Sequence, residues 1–374
     1  MMLMRILYWT PFFVPDLGGI ETLSAQLLPA LQRCGYEFTV VTSHGRYQLP
    51  DETEYAGIPI HRFGFREAIG QNDLTRIIQI RQQVAQIKRV FRPDLVHLHI
   101  SDPSAFFHLN TLQAHIAPTL LSLHQNLDYY GLQTDGSSSA LLARVISTSQ
   151  WVTTVSQSIL AKLHQRDSRL VARSSVVYNG LPTTRHVPTP LPFDPPQLLC
   201  FGRLIPRKGF DVALAAFALL LAEHPRAQLT IAGDGVQRDV LQQQAATLNL
   251  GERVRFAGAI SQPDVPDLLN RATVVIIPSR AEGLPMAALE AGQMARPIVA
   301  ANFDGVGEAV IHGRTGLIVP QEDSRALAAA ISHLLTHPAV AAQLGQNARD
   351  YVQDAFSLDT TAAAYDRLYR QLHL

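Results

Sequence analysis

Two segments in the second half of the chain concentrate residues able to hold a phosphorylated ligand. The first runs Pro278-Ser-Arg-Ala-Glu-Gly-Leu-Pro-Met-Ala-Ala-Leu-Glu290. An apolar run that reads as a buried strand ends at Pro278, and a loop follows. Pro285 then sits where its fixed φ suits a first helical residue. The amides of Leu284, Met286 and Ala287 would point out of that helix start, where N–H donors and the positive end of the helix dipole attract phosphate. Glu282 lies just before the helix, and Glu290 lies about one and a half turns into it. Both carboxylates can therefore face one ligand, and a carboxylate suits the diol of a ribose or hexose. The same spacing also fits a solvated helix with two incidental glutamates.

The second segment is Phe201-Gly-Arg-Leu-Ile-Pro-Arg-Lys-Gly209. Gly202 and Arg203 follow a strand directly, and Lys208-Gly209 opens the next helix. Arg203 offers a planar fork and Lys208 a point charge, so the pair can hold a diphosphate or form a solvated basic turn. A weaker signal is Asp16-Leu-Gly-Gly-Ile-Glu21, where Gly18 and Gly19 would let backbone approach a ligand; glycine pairs are more often plain turns. His97, His99 and His124 stand at strand ends. Such histidines are usually packed residues, yet ligands bind at the carboxyl ends of parallel strands. No GxGxxG, Gly-x-Ser-x-Gly, Walker-type loop or Asp-x-Asp occurs, which argues against a nicotinamide dehydrogenase and against a metal-bridged diphosphate site of that type.

The elements that must position these residues read as an α/β pattern. Short apolar runs such as Val274-Val275-Ile276-Ile277 are apolar on both faces, as parallel strands between helix layers are. Candidate strands are Arg5–Trp9, Glu37–Thr42, Leu95–His99, Thr119–Leu123, Trp151–Val155 and Ser175–Tyr178 in the first half. Gln197–Phe201, Gln228–Ala232, Val254–Ala257, Thr273–Ile277, Pro297–Ala300 and Gly316–Val319 follow in the second. Between the halves, six prolines fall from Pro182 to Pro196, which makes this an extended linker. The expectation is two facing Rossmann-like, doubly wound domains with the site in the cleft between them, over 1–181 and 197–355. A C-terminal amphipathic helix, about 356–374, with Ala364, Leu368 and Leu372 on one face, would pack back on the first domain.

Composition bounds the partners. Lys+Arg and Asp+Glu are both 31, so zero net charge disfavours a dedicated nucleic-acid binder. The two cysteines, Cys34 and Cys200, stand apart, which argues against a disulfide framework or structural zinc and suits a reducing cytoplasm. The segment from Met1 to Val14 lacks a small-residue cleavage site and reads as a first strand rather than a signal peptide. From Asp73 to Arg92 an amphipathic helix places Ile77, Ile80, Val84, Ile87 and Phe91 on one face, with Arg81, Lys88, Arg89 and Arg92 on its flank and back. It reads either as a core-facing helix with a solvated basic side or as a peripheral contact with anionic lipid on the inner face of the membrane.

Taken together, the motifs resemble the family-4-type retaining glycosyltransferases of the GT-B fold. The resemblance rests on Gly-Gly-Ile-Glu (18–21), Asp-Leu-Val-His-Leu-His (94–99), Ser-Leu-His (122–124), Thr-Val-Ser (154–156) and Val-Tyr-Asn-Gly (177–180). It continues through Gly-Arg-Leu…Lys-Gly (202–209), Ile-Ala-Gly-Asp-Gly (231–235), the two glutamates of 282–290 and Gly-Val-Gly-Glu (305–308). It implies that Arg203 and Lys208 bind the diphosphate of a nucleotide sugar and that Glu290 grips the ribose. It further implies that Glu282, with amides near Gly283, Leu284, Pro285 and Met286, holds the donor sugar and distal phosphate. Gly19, beside Gly18, would let a loop close over the phosphates, and His124 would touch the donor sugar. The segment from Gly258 to Ile260 would meet the base. The implied reaction moves a sugar, from UDP by preference, to a carbohydrate or lipid-linked acceptor with retention and with neither metal nor cofactor, in glycan, glycolipid or surface-polysaccharide synthesis. The remaining alternatives are a sugar-nucleotide epimerase, a phosphorylase or a non-catalytic nucleotide-sugar binder. Two departures stand out: Ala295 and Asp304 occupy positions where the family often has glycine.

Overall fold

The computed structural model describes residues 3–373 except 17, 46, 48, 100–103 and 126–136. The chain forms two units, Met1–Gly180 with Leu358–Leu374, and Leu181–Ser357. Each is built on one twisted sheet with its own core.

In the first unit, β1 (Met4–Trp9), β2 (Tyr36–Ser43), β3 (Glu52–Tyr55), β4 (Ile58–Phe63), β5 (Leu95–His99), β6 (Thr119–Leu123), β7 (Trp151–Thr154) and β8 (Ser174–Val176) pair in the order β3-β4-β2-β1-β5-β6-β7-β8. All pairings are parallel except β3 with β4. That hairpin is absent from the strand pattern read in the sequence. It turns at Ala56 and Gly57, both with positive φ (51° and 78°), the geometry whose twist matches a two-residue hairpin. The edge strand β3 exposes Glu52 and Glu54, charges that discourage further strand pairing.

The helix Leu358–His373 completes this unit. It buries Thr361, Ala362, Tyr365, Leu368 and Tyr369 against the core formed by Ile6, Tyr8, Leu27 and Leu31. His97 is anchored there: its Nδ1 lies 2.6 Å from the Tyr369 hydroxyl and its Nε2 2.8 Å from Ser122 Oγ. His97 is thus a satisfied core residue. Helix Leu74–Phe91 also faces inward, burying Ile80, Val84, Ala85 and Lys88, with Ile77, Ile87 and Phe91 packed on the core. Lys88 therefore does not lie on the solvated flank. Its ammonium, 1% exposed as a residue, reaches the carbonyls of His108 and Thr111, and burial lowers its pKa to about 7. The face expected to meet lipid is the face spent on the core, and the membrane contact finds no support. Among the described residues no single helix is long and apolar enough to cross a membrane.

In the second unit, β9 (Gln197–Phe201), β10 (Gln228–Ala232), β11 (Val254–Gly258), β12 (Val274–Ile277), β13 (Ile298–Ala301) and β14 (Leu317–Val319) form an all-parallel sheet, ordered β11-β10-β9-β12-β13-β14. The order reverses between β9 and β12, so the loops leaving those two strands diverge and open a crevice at their carboxyl ends. The Pro-rich segment belongs to this unit. Asn270 Oδ1 accepts from Thr189 N at 3.1 Å, Thr273 Oγ1 donates to the Pro192 carbonyl, and the buried Arg296 donates to the Thr189 carbonyl.

Candidate functional site

The crevice between β9 and β12 receives both charged segments. Gly202 directly follows β9, and its carbonyl lies so close to Gly233 that a β-carbon there would stand 1.8 Å away. Gly233 N donates to the Gly258 carbonyl at 2.7 Å, so the ends of β9, β10 and β11 are stitched backbone to backbone. After Gly202 the chain makes a short turn at Pro206–Lys208 and reverses at Gly209, whose φ is 66°. A β-carbon at Gly209 would lie 2.0 Å from the Pro278 carbonyl. Only glycine lets this loop press against the end of β12.

That approach brings Lys208 onto Glu282: Nζ stands 2.5 Å from Oε1, with side chains 16% and 8% exposed. Ser279 Oγ donates to the same oxygen at 2.8 Å. Arg280 fastens the two loops. Its backbone N donates to the Arg207 carbonyl at 2.7 Å, and its guanidinium forks onto both oxygens of Asp211 at 2.9 and 2.7 Å. It also reaches Glu322 at 2.9 Å, and Gln321 donates to its carbonyl.

The next helix is Met286–Gln293. Pro285 is its cap rather than its first residue, one position earlier than the sequence pattern placed it. The amides of Met286 and Ala287 have no carbonyl inside the helix to donate to, as at any helix start. Gly283, Leu284 and Pro285 are buried beneath that start, while Met286 is half-buried. Glu290 accepts from Gln262 Nε2 at 2.8 Å. Burial raises its pKa, opposed by the Gln262 hydrogen bond and by the charge of Lys208. Lys208, Glu282, Ser279, Glu290 and Gln262 thus share one neighbourhood. Arg203 stands exposed on the same loop as Lys208. Gly258 (φ 74°) closes β11, and the half-buried Ile260 leads into the turn that presents Gln262.

Ala295, just past this helix, holds φ 53°, the left-handed conformation that favours glycine. Asp304 is exposed before Gly305, whose φ of 80° precedes a short helix at Val306.

In the first unit, helix Gly19–Arg33 begins behind Gly18, and the Glu21 carboxylate folds back to within 2.2 Å of where a Gly18 β-carbon would be. Gly19 is exposed. His124, one residue past β6, meets His99 at the end of β5, Nε2 to Nδ1 at 2.7 Å. The rings stack with centroids 4.9 Å apart. Burial lowers the His124 pKa to about 4, and burial with the neighbouring histidines drives His99 well below its usual range. Both rings are neutral at pH 7, so His124 offers hydrogen bonds and no charge. Among the described residues no group of three or more His, Cys, Asp or Glu side chains is placed to hold a metal ion.

Ser279, Arg280 and Gln262 are site residues that sequence reasoning did not single out. Ser279 and Arg280 lay inside the segment already quoted, and Gln262 lay two residues beyond Ile260.

Comparison with known proteins matches both units. The family model described as Glycosyl transferases group 1 matches residues 184–351, and that described as Glycosyltransferase Family 4 matches 17–185. Glycogen synthase of Mycobacterium tuberculosis is 32% identical over 298 residues, 75% of this chain and 69% of that protein. A D-inositol 3-phosphate glycosyltransferase of Streptomyces scabiei is 27% identical over 390 residues, covering 95% and 86%. Among solved structures, sucrose-phosphate synthase of Thermosynechococcus elongatus superposes with a TM-score of 0.86 at 24% identity, covering 99% of each chain. Anabaena HepE in complex with UDP-glucose gives 0.82 at 22%, covering 99% of this chain and 100% of that one. These structural likenesses show the fold, GT-B.

Proposed function

The chain belongs to the glycosyl transferases group 1, and on that premise we propose that it transfers a sugar from a nucleoside diphosphate to an acceptor hydroxyl with retention, without a metal ion. The observation that carries this reading is the Lys208–Glu282 pair, 2.5 Å apart, beside Glu290 at the carboxyl ends of the strands. A cation held there, with the helix start at Met286, offers charge already aimed at a departing diphosphate. Such fixed donors stabilise developing charge without reorganising at the moment of reaction. HepE, of the same fold, has been solved with UDP-glucose, which supports uridine as the base.

In the proposed step the bond between the sugar's anomeric carbon and the β-phosphate oxygen breaks, and its electron pair leaves with the diphosphate. The acceptor oxygen bonds to that carbon on the same face, and its proton passes to the departing phosphate oxygen. Arg203 and Lys208 hold the diphosphate, Glu290 the ribose hydroxyls, and Glu282 the donor sugar. Carbohydrate and lipid-linked hydroxyls are the acceptor classes to test.

The test is nucleotide release from a panel of nucleoside-diphosphate sugars, with and without acceptor and with and without chelator. Turnover that survives chelation and an anomer matching the donor's support the proposal. Loss of activity on chelation, an inverted product, or no binding of any nucleotide sugar would each overturn part of it.

A further inference from the structure

The second sheet has a cavity of about 650 Å3 at the end opposite the crevice. Its floor is one face of the sheet near the starts of β9, β10 and β11, where Leu199, Thr230 and Arg255 stand in register. The opposite face of these strands is sealed by the core of Leu198, Leu229 and Ile231. The short helix Val265–Asn270 stands on the cavity side, where Leu268 and Asn270 join the lining. The Pro-rich segment at Thr189 forms one wall, fixed to Asn270 by two hydrogen bonds. The lining residues nearest the crevice, Leu199, Thr230 and Arg255, stand three residues before Gly202, Gly233 and Gly258, about 10 Å along the strands.

The lining is unevenly charged. Arg253, Arg255 and Arg271 contribute three guanidinium groups against one carboxylate, Glu252. All three arginines are exposed, and among the described residues none has a side-chain ion pair. Like charges gathered around one concavity repel each other and concentrate anions. A guanidinium fork matches phosphate oxygens two at a time. Gln228 and Thr230 add amide and hydroxyl groups to the floor. The volume lies in the range of small-molecule sites.

We propose that this cavity is a second ligand site, for a small phosphorylated polyol, with Arg253, Arg255 and Arg271 on the phosphate and Gln228 and Thr230 on the hydroxyls. The assignment stands independently of the donor crevice, because the two share no residue.

Calorimetric titration of the full chain with sorbitol 6-phosphate tests it, with inorganic phosphate and sorbitol as controls. The expected result is saturable binding near 1 mM or tighter. It should weaken roughly tenfold in Arg253→Gln/Arg255→Gln and in Arg271→Gln, as loss of a charge-assisted hydrogen bond would give, and stay unchanged in Lys208→Ala. These arginines are exposed, so an unchanged melting temperature separates lost binding from lost fold. Absence of saturable binding overturns the proposal. So does binding abolished by Lys208→Ala and indifferent to the arginine variants, which would place the probe at the donor end. Inorganic phosphate binding as tightly as sorbitol 6-phosphate overturns the polyol.

Discussion

Replacing Lys208 with Met separates a structural ion pair from a catalytic one. In the resting protein the ammonium is held 2.5 Å from Glu282, and the two side chains are 16% and 8% exposed. Without it, among the described residues Glu282 keeps only the Ser279 hydroxyl as a donor. Removing one partner of a buried pair costs about 3–5 kcal/mol, because the other charge is left uncompensated. The same substitution removes a cation aimed at the leaving diphosphate, a loss of about 2.7–4 kcal/mol in the barrier, or roughly 10²–10³ in kcat. Glu282→Gln in the Lys208→Met background removes the stranded charge. Stability should then return to within about 1 kcal/mol of the parent, whereas turnover should stay at least a hundredfold down. Urea melts and nucleotide release, measured on the parent, both single variants and the double variant, give the full cycle. Recovery of kcat together with stability in the double variant would refute the catalytic role and leave the lysine a mere counter-ion.

The remaining predictions concern the frame around that pair. Arg280→Ala should weaken donor binding roughly tenfold, because it unfastens the 202–209 loop from the 278–285 loop. Its effect on stability should be only about 1 kcal/mol, the guanidinium being 32% exposed; donor titration with unaltered affinity would contradict this. Ala295→Gly should stabilise the fold by about 0.5–1 kcal/mol, since left-handed backbone costs a β-carbon about 1–2 kcal/mol and the added unfolded-state freedom returns about 0.4–1; a lower melting temperature is the contrary result. His97, His99, His108 and His124 have folded pKa values depressed by burial. As pH falls below about 6.5 the unfolded chain takes up protons that the folded one refuses, so stability is lost, by about 2 kcal/mol from His124 alone between pH 6.5 and 5. Lys88, lowered to about 7, has the same sign: its contribution grows as pH rises from 7 toward 10. A denaturation midpoint flat between pH 5 and 7 would contradict the histidine account.

What was legible in the chain was whatever depends on neighbours in sequence. β12 reads as a strand because all four of its residues are apolar, and the structure buries all four; the loops after β9 and β12 follow from strand ends and proline. The β3–β4 hairpin was illegible because β3 is a polar edge strand whose signal is a turn, and Ala56 is not a residue that advertises positive φ. Lys88 was misplaced although the cue was present: Ile80, Val84 and Lys88 recur every four residues, the spacing of one helix face. Charge outweighed register in that reading. Ser279 and Gln262 escaped because hydroxyl and amide groups are common everywhere, and only folding shows which carboxylate they touch. The prolines before β9 announce an extended path, but its attachment comes from Asn270, Thr273 and Arg296, some eighty or more positions away.

The helix at 358–373 has a consequence for synthesis. Most domains made early in translation can finish folding while the remainder emerges. Here the unit begun first lacks Tyr365 and Tyr369, the partners of Ser122 and His97, until every residue of the other unit has been made. The later-made sheet thus has its whole sequence before the earlier one has its last core helix.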